Sequence, residues 1–443
     1  MIYSRRDALK TIGLLAATTT TLGASQLKTK KDSITNKAAL PKKTSTRVVI
    51  VGGGWSGLSV AKNIKMLSKE IDVVLVEQKE QFVSCPMSNL WLVDKVSLEY
   101  LTHDYLEAAR NNNYRFFHAT ATDMDKKNRT LHTSRGDIDY DYIVFAPGID
   151  YDYSHITNGD LSLEGRLRQE YPAAFKAGSE YLTLKNKIQN FKGGNFIMSV
   201  PKGNYRCLPA PYERACLVAD YFKSKKLKAK VILLDENNDI TIKEHGFHSA
   251  FEKLYAGYID YHPNSKIEYI DLDDKFIETE FEEFYFDDAS FYPPIRGASI
   301  LEKVGIAKDT VFNKLEGNID GLTYEAIGEE NIFICGDARP MGFSKSGNTA
   351  STEGLYVAKS VLNKINKGVS IPWESPTTLC FSAVSANPER AIFVNSQYAY
   401  DKKKKTFGFA TPKTSEVWSG DEGLTNAKAQ YDWADALFRY MFK

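Results

Sequence analysis

Arg47-Val-Val-Ile-Val-Gly-Gly-Gly-Trp-Ser-Gly57 decides the fold. Five residues of apolar β-type sequence run directly into Gly52, Gly54 and Gly57, spaced G-x-G-x-x-G, with Ser56 inside the turn. The next residues, Leu58 to Ser68, carry Leu58, Ala61, Ile64 and Leu67 at helical spacing. Ile71-Asp-Val-Val-Leu-Val76 then reads as a second strand, ending at Glu77. Gly52 permits the tight turn, Gly54 lets a pyrophosphate approach the backbone, and Gly57 lets helix and strand pack closely. The helix N-terminus faces phosphate charge, and Glu77 stands where an acid takes ribose hydroxyls. The order strand, glycines, helix, strand, acid predicts a dinucleotide-binding βαβ unit.

Two further segments select FAD. Tyr142-Ile-Val-Phe-Ala-Pro-Gly148 is a strand that ends at Ala146 and Gly148, and Asn331-Ile-Phe-Ile-Cys-Gly-Asp337 is a strand that ends at Gly336 and Asp337. They resemble the strand ends of flavoproteins with two dinucleotide domains, in which the Gly-Asp aspartate contacts the ribityl and pyrophosphate region. That resemblance places Asp337 on FAD, and a helix N-cap role for Asp337 is compatible with it. The fold class expected is α/β: two Rossmann-like domains of glutathione-reductase type, plus a C-terminal α+β domain.

The 443 residues suffice for two or three domains. Hydrophobic content of 43%, charged content of 26% and a formal net charge of +1 describe an ordinary globular protein with no pull toward nucleic acid. Ser4-Arg5-Arg6-Asp7-Ala8-Leu9-Lys10, an apolar run from Ile12 and Leu22-Gly-Ala24 read as a twin-arginine signal over residues 1–25. The run is too short to span a bilayer. This implies export to the periplasm and a mature chain without a transmembrane segment. Residues 26–44, rich in Lys, Thr and Ser, read as a loose linker. The domains expected after it are 45–150 (FAD, first part), 151–300 (second Rossmann-like unit), 301–370 (FAD, second part) and 371–443 (C-terminal).

In the second unit, Gly194-Asn-Phe-Ile-Met-Ser-Val200 and Lys230-Val-Ile-Leu-Leu-Asp235 are strands on either side of a helix from about Pro211 to Phe222. The turn between strand and helix, Pro201-Lys-Gly-Asn-Tyr-Arg-Cys207, has one glycine and bulky side chains. Close phosphate approach is blocked, so no NAD(P)H site is expected. Asp271 to Phe291 reads as a solvated β-hairpin with alternating acids, and Pro293-Pro294 as the crossing back to the FAD domain. The five cysteines include no C-x-x-C, and the seven histidines include no H-x-x-x-H pair, so no metal site is expected. Cys335, within an apolar strand, and Cys216, on the helix, read as buried and inert.

Four segments together resemble the flavoprotein subunit family of flavocytochrome c sulfide dehydrogenase. They are Phe82-Val-Ser-Cys-Pro-Met-Ser-Asn89, Tyr205-Arg-Cys-Leu-Pro-Ala-Pro-Tyr-Glu-Arg-Ala215, Lys345-Ser-Gly-Asn348 after the Gly-Asp pair, and Thr377-Thr-Leu-Cys380. The resemblance implies that Cys85 anchors FAD as a thioether and that Cys207 and Cys380 form a redox-active disulfide. It also implies an acid–base role for Glu213, although a glutamate in a first helical turn is equally what a helix N-terminus favours. Arg206 and Arg214 read either as tuning the thiols or as solvated charges.

The activity implied is oxidation of hydrosulfide to sulfur or polysulfide, with electrons passing through FAD to a c-type cytochrome. The chain has no C-x-x-C-H, so the haem belongs to a separate subunit. The aromatic tail from Thr377 resembles the family's domain that covers the flavin and meets the cytochrome. Two alternatives stay open: a sulfide:quinone oxidoreductase, and an accessory flavoprotein of a thiosulfate-oxidising system.

Overall fold

A computed structural model describes residues 36–410 and 412–443. The twin-arginine segment and most of the expected linker lie outside the described residues. From Lys37 onward the expected linker is fastened to the body. Lys37 pairs with Asp139 (2.6 Å), Lys43 with Asp141 (2.7 Å), and Arg47 reaches both Asp72 (2.8 Å) and the Pro41 carbonyl (2.9 Å). The basic residues that suggested a loose segment are the ones that hold it down.

The fingerprint forms β1 (Arg47–Val51), α1 (Trp55–Leu67) and β2 (Asp72–Glu77). A five-stranded parallel sheet is built around them, in the order Ile332–Ile334, Tyr142–Phe145, β1, β2, Arg115–His118. Every residue of β1 is buried, as expected of a central parallel strand covered on both faces. Gly52 has φ +105°, and a Cβ there would sit 2.3 Å from the Ala146 oxygen. A Cβ on Gly57 would sit 1.9 Å from the Gly52 oxygen, so α1 can start this close to β1 only with glycine in both places. The long helix Gly347–Ile365 packs along α1, where Ser59 Oγ donates to the Ser351 carbonyl (2.6 Å).

The second sheet is also parallel, in the order Ile259–His262, Ala229–Asp235, Gly194–Val200, Asp288–Ser290. The two chain crossings between the units lie side by side as an antiparallel pair, Ile149–Tyr151 with Ile295–Gly297, just after Pro293-Pro294. The acidic segment is a three-stranded meander, Ile267–Asp271, Phe276–Thr279 and Glu283–Tyr285. Its glutamates point outward while Ile277 and Phe284 point inward, the alternation of a half-solvated sheet.

Where a nucleotide-binding unit has its phosphate turn, the second sheet is filled by protein. Tyr205 is fully buried there, with its hydroxyl donating to the Leu208 carbonyl (2.9 Å). At the end of the next strand, Asp235 is also fully buried and accepts from the hydroxyls of Tyr212 (2.7 Å) and Tyr261 (3.0 Å). Both carboxylate oxygens are engaged, since Asn237 donates to the other one.

The tail forms an antiparallel sheet of Thr377–Ala386, Glu389–Asp401, Thr406–Phe409 and Lys413–Ser415, then the helix Gly420–Phe442. Phe438 and Phe442 of that helix bury against Trp55, Phe82 and His103 of the first domain. The amphipathic end is thus covered by the protein's own body. Among the described residues no helix is long and apolar enough to cross a membrane.

Candidate active site

The fingerprint turn opens onto a cleft lined by Gly52, Gly54, Glu77, Pro147, Gly148 and Cys85. No protein atom lies within 4 Å of the place where a Cβ on Gly54 would stand. Glu77 already braces the turn by accepting from Gly53 N–H (2.7 Å) and Lys79 N–H (2.9 Å). Asp337 follows the strand Ile332–Ile334 on a single 3-10 turn and is 7% exposed. Its Oδ2 takes the Arg206 guanidinium (3.0 Å), while its Oδ1 is buried with no partner among the described residues. A buried carboxylate oxygen without a donor, one residue past the Gly336 that meets the fingerprint turn, fits the ribityl hydroxyls of FAD. Ala146 and Gly148 line the same cleft, and Gly336 meets Ser56. The Ser56 hydroxyl donates inward to Cys335 Sγ (3.1 Å) and so serves the interior of the fold.

Cys85 also lines a second opening of about 610 Å³, together with Cys207, Cys380, Asn89, Glu213 and Trp433. Three of the five cysteines therefore share one cavity, while Cys216 and Cys335 are fully buried elsewhere, with burial pushing both thiols up. Cys207 sits on the filled turn of the second sheet with φ +58°, a left-handed backbone unusual for a residue with a Cβ. Its N–H donates to the Lys345 carbonyl (2.9 Å), and its carbonyl accepts from Ala210 N–H (2.8 Å), where the helix Ala210–Ser224 begins. Cys380 comes from the tail strand Thr377–Ala386, whose edge is held by Leu379 N–H donating to Asn348 Oδ1 (2.8 Å). Both thiols are free and line the same cavity.

The pair is electrostatically unequal. The Cys380 thiol is lowered to about 7 by its interaction with the neighbouring Cys207 thiol and by Lys243 and Ser382, which favour its anion. Cys207 is pushed well up by that same interaction and by burial. Glu213 is buried too, so the surface position it could have held is excluded. Asn89 Nδ2 donates to its Oε2 (2.9 Å) and Ala383 N–H to its Oε1 (2.9 Å). Burial raises its pKa against those two donors, which makes it a group able to hold or release a proton beside the thiols.

Neither arginine is a solvated charge, and both line the cavity of the three thiols. Arg206 pairs with Asp337 and donates to the Phe175 carbonyl (2.8 Å). Arg214 is buried and spends its guanidinium on Asn89 Oδ1 and on the carbonyls of Ala173 and Ala174. Asn89 and Lys243 are site residues that sequence reasoning did not single out. Asn89 stands inside a quoted motif, so it was findable there, whereas nothing local marks Lys243. Away from the cavity, Asp239, Glu244 and His248 come within 4.8 Å of one another, a grouping invisible to histidine spacing, and His248 is already bonded to Asp239 (2.7 Å).

Residues 182–290 match the family model of the central part of the flavocytochrome c sulfide dehydrogenase flavoprotein chain. Residues 374–442 match that of the flavocytochrome c sulphide dehydrogenase flavin-binding region, and residues 46–175 that of the pyridine nucleotide-disulphide oxidoreductases. A sulfide dehydrogenase flavoprotein chain from Chlorobaculum thiosulfatiphilum is 56% identical over 43 residues, 10% of this chain and 90% of that sequence. The mitochondrial sulfide:quinone oxidoreductase of Dictyostelium discoideum is 22% identical over 390 residues, covering 82% of each chain. In fold, the chain is similar to the sulfide:quinone oxidoreductase of Aquifex aeolicus, with a TM-score of 0.68 and 16% identity over 90% of this chain and 91% of that one. It is also similar to the covalent putidaredoxin reductase–putidaredoxin complex structure, with a TM-score of 0.60 and 14% identity over 88% of this chain and 94% of that one.

Proposed function

We infer the function from one premise: the chain belongs to the flavocytochrome c sulfide dehydrogenase flavoprotein family and is related to the sulfide:quinone oxidoreductases. It is a flavin-dependent oxidoreductase that acts on sulfide. Our finer reading is a sulfide:cytochrome c oxidoreductase, exported to the periplasm by the twin-arginine route, with FAD tethered through Cys85. The observation that carries it is the meeting of Cys207 and Cys380, from two different domains, in a cavity that Cys85 shares with the nucleotide cleft.

The working form of the pair in this reading is a Cys207–Cys380 disulfide. Hydrosulfide attacks one sulfur: a new S–S bond forms to the incoming sulfur, and the old bond breaks to leave a persulfide and a thiolate. Glu213, buried and accepting from Asn89 and Ala383, takes the proton that the incoming sulfur sheds. Re-forming the disulfide expels zero-valent sulfur, or a polysulfide when further sulfide is present. The balance is HS⁻ to S⁰ plus one proton and two electrons. FAD, when bound, supplies the acceptor for that electron pair and a means of releasing the electrons singly to a haem iron. Gly52, Gly54, Glu77 and Asp337 would hold it, and Cys85 stands where it could be joined covalently.

The test is an anaerobic titration of the flavin-loaded protein with sulfide, followed by visible absorbance, with cytochrome c added second. Flavin bleaching and then cytochrome reduction are expected, with bleaching lost in Cys207→Ser. A flavin that stays oxidised under excess sulfide would overturn the reading in favour of an accessory redox role. Bleaching with electron delivery to a quinone but not to the cytochrome would reassign the acceptor. The likeness to the Dictyostelium protein over 82% of the chain supports keeping that arm.

A further inference from the structure

Lys243 is a buried lysine without a carboxylate. It stands at the start of the helix Glu244–Leu254 with φ +56° and is 3% exposed. Its ammonium donates to Ser382 Oγ (2.6 Å) and to the Cys380 carbonyl (3.2 Å), and among the described residues no Asp or Glu lies within ion-pair distance. Burying an unpaired ammonium is costly, and so is a left-handed backbone on a residue with a side chain. Here both costs serve to aim one charge at one strand.

The other cations around the cavity are committed elsewhere. Arg206 is paired with Asp337 and Lys345 with Glu316 (2.7 Å), while Arg214 is spent on carbonyls and Asn89. The titratable groups facing Cys380 are Cys207 from the filled turn, Glu213 from the helix Ala210–Ser224, and Lys243 itself, with Cys85 lining the same cavity. Ser382 lies two residues along the strand from Cys380, hence on the same face. Its oxygen accepts from Lys243, which leaves its own hydroxyl proton available toward the Cys380 side chain on the same face.

We propose that Lys243 and Ser382 form the anion-holding device of the Cys380 sulfur, with Lys243 a positioning residue whose charge acts through the Ser382 hydroxyl. The reduced dithiol then has a fixed asymmetry: Cys380 carries the negative charge and Cys207 keeps the shared proton. This rests on Cys207 and Cys380 being the working thiol pair. The cation that a sulfur anion needs is supplied from the second domain, by a segment outside the four motifs that carry the sequence resemblance.

The test is thiol titration without sulfide, so it stands apart from the test of sulfide oxidation. Flavin-loaded protein is reduced with a phosphine in the absence of oxygen. Iodoacetamide labelling of Cys380 and Cys207 is then followed separately by peptide mass spectrometry from pH 5 to 10. In the native chain Cys380 should label at lower pH than Cys207. Lys243→Met should move the Cys380 midpoint up by a unit or more, seen as labelling at least tenfold slower below both midpoints, and Lys243→Arg should restore most of it. Ser382→Ala, which removes a single oxygen, should shift the midpoint in the same direction by less. An unchanged midpoint in Ser382→Ala would overturn the relay. Equal shifts in Lys243→Met and Lys243→Arg would overturn the role of the charge.

Discussion

Glu213→Gln tests the acid–base role and the burial of that carboxyl in one protein. Each carboxylate oxygen of Glu213 accepts one N–H, from Asn89 and from Ala383. A glutamine can accept with one end only and turns an N–H₂ toward the other donor. The lost bond and stranded donor cost about 1–3 kcal/mol of stability. Against that, burial raises the folded pKa of Glu213 above its unfolded value. The folded state therefore binds more protons than the unfolded state in the window above the unfolded value. The wild-type chain accordingly loses stability as pH rises through that window, and carries the full penalty above the folded value. The variant lacks this loss. Its deficit should be largest at low pH and shrink as pH rises, and other buried acids such as Glu353 and Asp235 cancel because both proteins contain them. Sulfide-driven flavin reduction should slow by about 10²–10⁴-fold, the usual worth of a positioned proton acceptor. The assays are thermal unfolding from pH 4 to 8 and anaerobic stopped-flow absorbance. A melting difference that is constant across pH would show that Glu213 does not titrate as a buried acid. A flavin reduction rate within threefold of wild type would remove it from the chemistry.

Other predictions follow from single contacts. Cys85→Ser should release its flavin on denaturation with acid, whereas flavin should stay with the denatured wild-type chain; release from both would remove the thioether. Phe438→Ala removes a ring stacked near Trp55 (5.8 Å between centroids) and should cost about 3–5 kcal/mol, read as a lower unfolding midpoint and altered tryptophan fluorescence. His103 is lowered to about 4 by burial beneath Phe438 and Phe442. With a folded pKa below the unfolded one, its contribution is present above about pH 6.5 and fades as pH falls toward 4. His103→Phe, which keeps the stack, should flatten the acid side of the stability profile, and an unchanged profile would refute this.

The parts of the fold legible in sequence are those where backbone geometry dictates residue type. Gly52 and Gly57 had to be glycine because backbone oxygens stand where their Cβ atoms would go, and the strands beside them had to be apolar on both faces. Helix limits were less legible. The helix from Gly347 opens on Gly347-Asn348-Thr349, weak helix formers started by a Ser346 cap, so its beginning carries little sequence signal. The tail helix starts at Gly420, and its early buried positions, Gly423, Asn426 and Ala427, carry little apolar signal. At the site, residues within recognisable motifs were found. Those whose role depends on a partner far along the chain were not. Lys243 meets Ser382 across 139 positions, and an exposed or a buried lysine looks the same in sequence. Arg206 was visible, but its commitment to Asp337 depends on the docking of two domains.

The filled turn that carries Cys207 and the strand that carries Cys380 are separated by most of a domain in the order of synthesis. One sulfur is made early and waits; the other arrives only after the first sheet has received its last strand, Ile332–Ile334, and the tail has begun to lie down. Leu379 must find Asn348, and Ala383 must find Glu213, before the sulfurs can meet. Partly built molecules therefore hold Cys85, Cys207, Cys216 and Cys335 without the partner that the tail brings to Cys207. In the proposed mechanism, bond formation between Cys207 and Cys380 would therefore report completed assembly, through the same two atoms assigned to the chemistry.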